Sequence, residues 1–192
     1  MVAVTIAEAW PAAGRSFTVA ELDRMPDDGR RYELLDGVLV VSPRPALPHQ
    51  VVASRLAFAL GQACPADLQV VAEPAVMVSA DTEFDPDIAV ARLADLGGSK
   101  IIRPPLLAVE VRSPSTALLD LNRKKIAYQR FGVESYWIVV PDLEKPELIA
   151  FELRDGCYEQ VAHVMEDESF RAARPYVVEV VPSRLVAGIL PG

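Results

Sequence analysis

At 192 residues the chain is long enough for one domain with a sizeable core and too short for two comfortable ones, so residues 1–192 are read as a single domain. Its composition is 51% hydrophobic with a formal net charge of -8, which excludes a protein that coats nucleic acid through a general positive field. No run approaches the ~20 apolar residues of a membrane span and the N-terminus lacks a basic, hydrophobic leader, so a soluble, cytoplasmic protein with no membrane partner is expected.

In chain order, Thr18-Val19-Ala20-Glu21 has capping-box spacing and predicts a short helix to about Met25, followed by the turn-prone Pro26-Asp27-Asp28-Gly29. Arg31–Leu35 and Val38–Val41 flank Asp36-Gly37, a strong two-residue hairpin signal. Three prolines, Pro43, Pro45 and Pro48, form a rigid connection, and Val51–Ala63 then has helical spacing through Val52, Leu56, Ala59 and Leu60. Leu68–Val78 and Asp87–Val90 read as strands. Leu106–Arg112 reads as the central strand, Ser113-Pro114-Ser115-Thr116 as a turn that caps a helix, and Ala117–Phe131 as that helix, closed by Gly132. Ser135–Val140 and Leu148–Leu153 are further strands, while residues 1–14 and 154–192 carry no chemical motif. The strand-helix-strand order from Leu106 to Val140 favours a parallel crossover and the early hairpin favours antiparallel pairing. The expected fold is therefore α/β or α+β, with a mixed sheet. Cys64 and Cys157 stand far apart and cluster with neither His49 nor His163, which argues against a structural zinc site or a disulfide scaffold.

Charge inside apolar strands carries the chemistry. Glu110 interrupts the run Leu106-Leu107-Ala108-Val109-Glu110-Val111, and Asp85-Pro86-Asp87 precedes Ile88-Ala89-Val90. Carboxylates survive in such places chiefly when paired, hydrogen-bonded or metal-bound. Alternation puts Glu110 and Arg112 on the face of Leu106 and Ala108, with Leu107, Val109 and Val111 opposite. A strand-end Asp87 beside a mid-strand Glu110 is an arrangement in which oxygen ligands converge on a hard cation such as Mg²⁺; a buried salt bridge from Glu110 to Arg112 or Lys124 is the other reading. On the following helix Lys124 shares the apolar arc of Leu121 and Tyr128, either snorkelling or reaching the carboxylates. Lys125 lies at the edge of that arc, with Arg123 and Arg130 on the opposite side, and all three read as solvated or phosphate-contacting charges. Between residues 100 and 130, seven cations face only Glu110 and Asp120, a local net charge of +5 that offers an anion-binding surface.

These residues resemble the Uma2 restriction endonuclease family, within the PD-(D/E)XK nuclease superfamily, over about residues 17–153. The resemblance rests on the ordered set Arg31-Tyr32-Glu33-Leu34-Leu35-Asp36-Gly37, Pro48-His49-Gln50, Pro86-Asp87, Glu110-Val111-Arg112-Ser113-Pro114-Ser115-Thr116, Asp120 with Lys124 and Tyr128, and Gly132-Val133-Glu134-Ser135-Tyr136-Trp137. It implies a restriction-endonuclease-like core, a mixed central sheet flanked by helices, and a Mg²⁺-dependent site, with Mn²⁺ able to substitute, that hydrolyses phosphodiester bonds in DNA. Asp87 and Glu110 would be metal ligands, with the Val111 carbonyl as a further ligand and Glu33 as an additional acid; by position alone Glu33 reads as a surface hairpin residue. The superfamily's lysine two residues after the motif acid is replaced here by Arg112, and Lys124 would supply the ammonium from the helix. Arg112, Lys125 and His49 would contact substrate, though His49 reads equally as an ordinary polar cap. A homodimer is expected, because cutting both strands takes two sites. The competing expectation is a module that keeps the fold and binds nucleic acid or protein without turnover.

Overall fold

The computed structural model describes residues 16–112 and 118–190, excepting the side chains of 118–121. The Ser113–Thr116 turn, the Ala117 helix start and the Asp120 side chain lie outside the described residues. The first helix, α1 (Val19–Leu22), starts where the capping box predicts. There the Glu21 carboxylate accepts from the Thr18 backbone N–H at 3.0 Å and from its hydroxyl at 2.9 Å. Strands β1 (Arg30–Leu35) and β2 (Val38–Pro43) form the expected hairpin. Asp36 and Gly37 take φ of 48° and 75°, the paired positive values of a type I′ turn. A side chain at position 37 would also strike Ser16, its Cβ coming within 2.6 Å of the Ser16 Cβ.

Helix α2 (Leu47–Ala63) begins earlier than its apolar spacing predicts, with Pro48 in the first turn, where a missing N–H costs nothing. The expected single strand over Leu68–Val78 is two strands in different sheets, β3 (Leu68–Ala72) and β4 (Val76–Ser79). Pro74 cannot donate to a ladder and Glu73 takes φ 48°, so the chain turns out of one sheet and into the other between them. Strands β5 (Thr82–Phe84) and β6 (Ile88–Arg92) follow, then β7 (Leu107–Val111), α3 (Leu118–Phe131), β8 (Ser135–Val140) and β9 (Glu147–Arg154). The C-terminal region contributes β10 (Cys157–Met165), β11 (Phe170–Ala172), β12 (Val178–Val180) and α4 (Pro182–Val186).

Among the described residues, the strands form a six-stranded sheet in the order β10-β9-β8-β7-β6-β3, a four-stranded sheet in the order β2-β1-β5-β4, and a β11-β12 ribbon. Among the described strands β7 and β8 alone pair in parallel, joined by α3 as the crossover order predicts; the large sheet is therefore mixed. One face packs Leu107, Val109 and Val111 against Val52, Leu56 and Leu60 of α2, and the other packs Ala108 and Tyr136 against Ala127 and Tyr128 of α3. Residues 85–87 carry the chain from the small sheet, after Phe84, into the large one at Ile88. No described helix is long and apolar enough to cross a membrane.

Candidate active site

The sheet-to-sheet passage at residues 85–87 brings together four charged side chains remote in sequence. Glu33 comes from β1, Asp87 from the passage, Glu110 from β7 and Lys124 from α3, and each is 2–5% exposed. Period-two alternation turns Glu110 to the α3 side with Ala108, and helical spacing puts Lys124 one turn before Tyr128 on the face that packs there. Lys124 Nζ lies 2.8 Å from Glu33 Oε1 and 3.3 Å from both Glu110 carboxylate oxygens, while Tyr128 donates its hydroxyl to Glu110 Oε1 at 3.1 Å. The backbone N–H of Asp85 donates to Glu33 Oε1 at 3.0 Å. Asp87 accepts from the Val111 N–H at 2.6 Å, a bond that ties the passage to the end of β7 just beyond the Ile88–Val109 pair.

Two further nitrogen-bearing side chains approach Asp87. Arg31, two residues before Glu33 on the same face of β1, places Nη1 3.4 Å from Asp87 Oδ1. Its Nε is 3.9 Å from both Glu33 and Asp85. His49, in the first turn of α2, sets Nε2 2.8 Å from the Val111 carbonyl oxygen and 3.4 Å from Asp87 Oδ2. That carbonyl can only accept, so Nε2 carries a proton.

The electrostatics are uneven. Burial drives the Glu33 and Asp87 carboxyls upward, but Lys124 and Arg31 outweigh it at Glu33, as His49 and Arg31 do at Asp87, and both end below the usual carboxylate range. Burial also dominates at Glu110; Lys124 opposes it, yet the Asp87 and Glu33 charges reinforce it, and the group is pushed up to about 7. Asp85 rises to about 6 through burial and the nearby Glu33 charge. Burial would deprotonate Lys124, but Glu110 and Glu33 hold it as an ammonium more firmly than a free lysine. Lys124 thus gains from Glu110 while Glu110 gains nothing net, because at Glu110 the charges of Asp87 and Glu33 add to the burial that Lys124 opposes. Burial lowers the His49 pKa, and the bond and charge from Asp87 more than restore it.

Glu33 is not the exposed hairpin residue its position suggests; the lysine and the Asp85 N–H, both distant in sequence, draw it inside. His49 is not a helix cap: the cap position is Ala46, and the imidazole is buried against the end of β7. Lys125 lies over the Phe151 ring at 3.5 Å, and Arg112 is half-buried just beyond β7. Among the described residues neither makes an ion pair with Glu33, Asp87 or Glu110. Sequence reasoning gave no role to Arg31 or to Asp85 alone, although the two-residue spacing of Arg31 and Glu33 would have placed both on one face.

A cleft of about 830 Å³ opens onto this junction, lined by Arg31, Asp85 and Asp87 and, farther along, by Tyr32, Glu83 and Lys100. Glu110 and Lys124 lie behind that lining. The donors are oxygens suited to a hard cation: the Asp87 and Glu110 carboxylates, and the second lone pair of the Val111 carbonyl. Among the described residues no three His, Cys, Asp or Glu side chains form a ready-made metal cage. With all four carboxyls ionised and His49 neutral, Glu33, Asp85, Asp87 and Glu110 would outnumber Arg31 and Lys124 by two charges.

The family model for Uma2, described as "Putative restriction endonuclease", matches residues 19–178. A crystal structure described as a "putative nuclease belonging to DUF820" from Anabaena variabilis ATCC 29413 superposes with a TM-score of 0.65 at 16% sequence identity, covering 79% of this chain and 85% of that one. At that identity the likeness is one of fold. No curated protein matches the chain.

Proposed function

This chain belongs to the Uma2 family, and from that premise we propose that it is a Mg²⁺-dependent endonuclease that hydrolyses phosphodiester bonds in DNA. The observation that carries the reading is the burial together of Glu33, Asp87, Glu110 and Lys124 at the passage between two sheets, beside an open cleft. Asp87 and Glu110 would hold the ion, with the Val111 carbonyl as a third oxygen, and two positive charges would offset the excess of carboxylate. When bound, such an ion polarises a phosphoryl oxygen and makes a coordinated water a better nucleophile at neutral pH.

The protein's own groups do the rest. Lys124 remains an ammonium, so it orients and neutralises instead of taking a proton. Its N–H donors face Glu33 and both oxygens of Glu110, which keeps the ammonium behind the cleft lining as the counter-ion of those two carboxylates. Glu33 fixes Lys124 in place, and the Asp85 N–H fixes Glu33. His49 and the Val111 N–H hold the Asp87 carboxylate from behind, which sets its orientation before any ligand arrives.

Purified protein should cut DNA with Mg²⁺ or Mn²⁺. Asp87→Ala and Glu110→Ala should each lower the rate by about 10³-fold or more while circular dichroism stays native. Variants that cleave as fast as the parent would overturn the proposal and point to a contaminant. The net charge of -8 favours the competing reading, a binding module without turnover. Calorimetric titration with Mn²⁺ separates the two, because only the nuclease requires uptake that vanishes in Asp87→Ala.

A further inference from the structure

Arg31 and Lys124 are the two permanent cations of the carboxylate cluster, and they are used differently. Lys124 closes to 2.8 Å on Glu33, whereas the nearest approach of Arg31 to any carboxylate is 3.4 Å, and its other two ion pairs are at 3.9 Å. Charge-assisted bonds from a guanidinium to a carboxylate normally close to about 2.7–2.9 Å and are often bidentate. Arg31 is therefore surrounded by Glu33, Asp85 and Asp87 without closing fully on any of them. Its Nη2 is buried and has no hydrogen-bond partner, a costly condition for a charged donor, and the guanidinium must turn toward the cleft for that donor to reach an anion.

The position of this underused fork is informative. Arg31 lines the cleft beside Asp85 and Asp87, whereas Lys124 does not reach that lining. An arginine needed only to neutralise carboxylates would close on one of them. An arginine that must receive an incoming anion keeps donors in reserve. Arg30 and Arg44 line the same cleft, but Asp23, Asp27, Glu73 and Glu83 line it too, so any hold on an anion there is local to the arginines and not a general positive field.

We propose that Arg31 is the phosphate clamp of this site: its guanidinium fork binds two oxygens of the phosphodiester held in the cleft, next to the Asp87 carboxylate. The assignment rests on the nuclease reading for the identity of the anion. A cation bound at Asp87 would also weaken the hold of that carboxylate on Nη1 and release the fork toward the phosphate. No bond is made or broken at Arg31; it orients the phosphate and spreads the charge that builds on its oxygens.

Calorimetric titration of the protein with thymidine 3′,5′-bisphosphate, in buffer containing Ca²⁺ to prevent turnover, tests this directly. Arg31→Gln should weaken bisphosphate binding about tenfold or more while Ca²⁺ uptake stays equal to the parent's or becomes tighter. Arg31→Lys, which keeps the charge and loses the fork, should recover only part of the affinity, and it carries the test if Arg31→Gln does not fold. A bisphosphate Kd unchanged in Arg31→Gln, or fully restored in Arg31→Lys, overturns the clamp, and so does a parent that binds no bisphosphate. If the parent binds bisphosphate through Arg31 but takes up no Ca²⁺ through Asp87, the clamp stands and the nuclease reading fails. Asp87-dependent Ca²⁺ uptake with bisphosphate binding indifferent to Arg31 is the reverse result.

Discussion

The two faces of β7 are built from one five-residue strand, equally sealed from water, and they do opposite things. On the α2 side Leu107, Val109 and Val111 meet Val52, Leu56 and Leu60, an aliphatic layer in which every contact favours burial. On the α3 side Ala108 and Glu110 meet Tyr128 and Lys124, and there burial works against Glu110. Exposure alone therefore does not tell core from site in this molecule. What distinguishes them is the helix docked opposite: α2 contributes only apolar side chains to the strand's middle, and α3 contributes an ammonium and a phenol.

The contrast can be broken most strongly on the aliphatic side. Leu56 is fully buried, and Leu56→Ala should cost about 2–5 kcal/mol, the usual range for a core cavity. That lowers Tm by roughly 2–4 °C for each kcal/mol, and the cleavage rate per folded molecule should stay at the parental value. A native Tm in this variant would mean that the α2 face does not carry the stability assigned to it.

On the other face the same kind of measurement should move in the opposite direction. Burial pushes the Glu110 carboxyl up to about 7 in the folded protein, above the ordinary glutamate value of 4.5, so the folded state holds this proton more tightly than the unfolded state. Its contribution to stability is complete below pH ~4.5, declines as pH rises through about 7, and is a fixed penalty above that. Glu110→Gln should thus be more stable than the metal-free parent at pH 8, on the order of 1–3 kcal/mol, with the difference fading toward pH 4.5. Thermal denaturation of both proteins across that range checks the sign. A variant less stable than the parent at pH 8 would show that the Lys124 pair outweighs burial.

The smallest change sharpens the comparison at a single atom. Tyr128→Phe removes the hydroxyl that donates to Glu110 and should cost about 1 kcal/mol. Losing a donor to the ionised form should move the Glu110 titration to higher pH, shifting the rising limb of the pH–rate profile the same way. An unmoved profile would separate Tyr128 from the charge state of Glu110.

Much of this arrangement is written in local spacing. Alternation alone sorts Glu110 from its neighbours on β7, helical periodicity alone turns Lys124 with Tyr128, and Asp36-Gly37 announces its hairpin, because each depends only on the backbone period or on the φ that a residue tolerates. Local spacing does not reveal what sits opposite. The burial of Glu33 depends on Lys124, 91 positions away, and on the Asp85 N–H; the turning of His49 toward β7 depends on a carbonyl 62 positions away. The division of 68–78 between two sheets and the short strand Thr82–Phe84 likewise follow from sheet packing that no window of residues contains. Local pattern thus determined which side of each element every charged group occupies. Tertiary packing decided which groups meet across the junction, and so which charges are neutralised, which are strained toward protonation, and which side chains line the cleft.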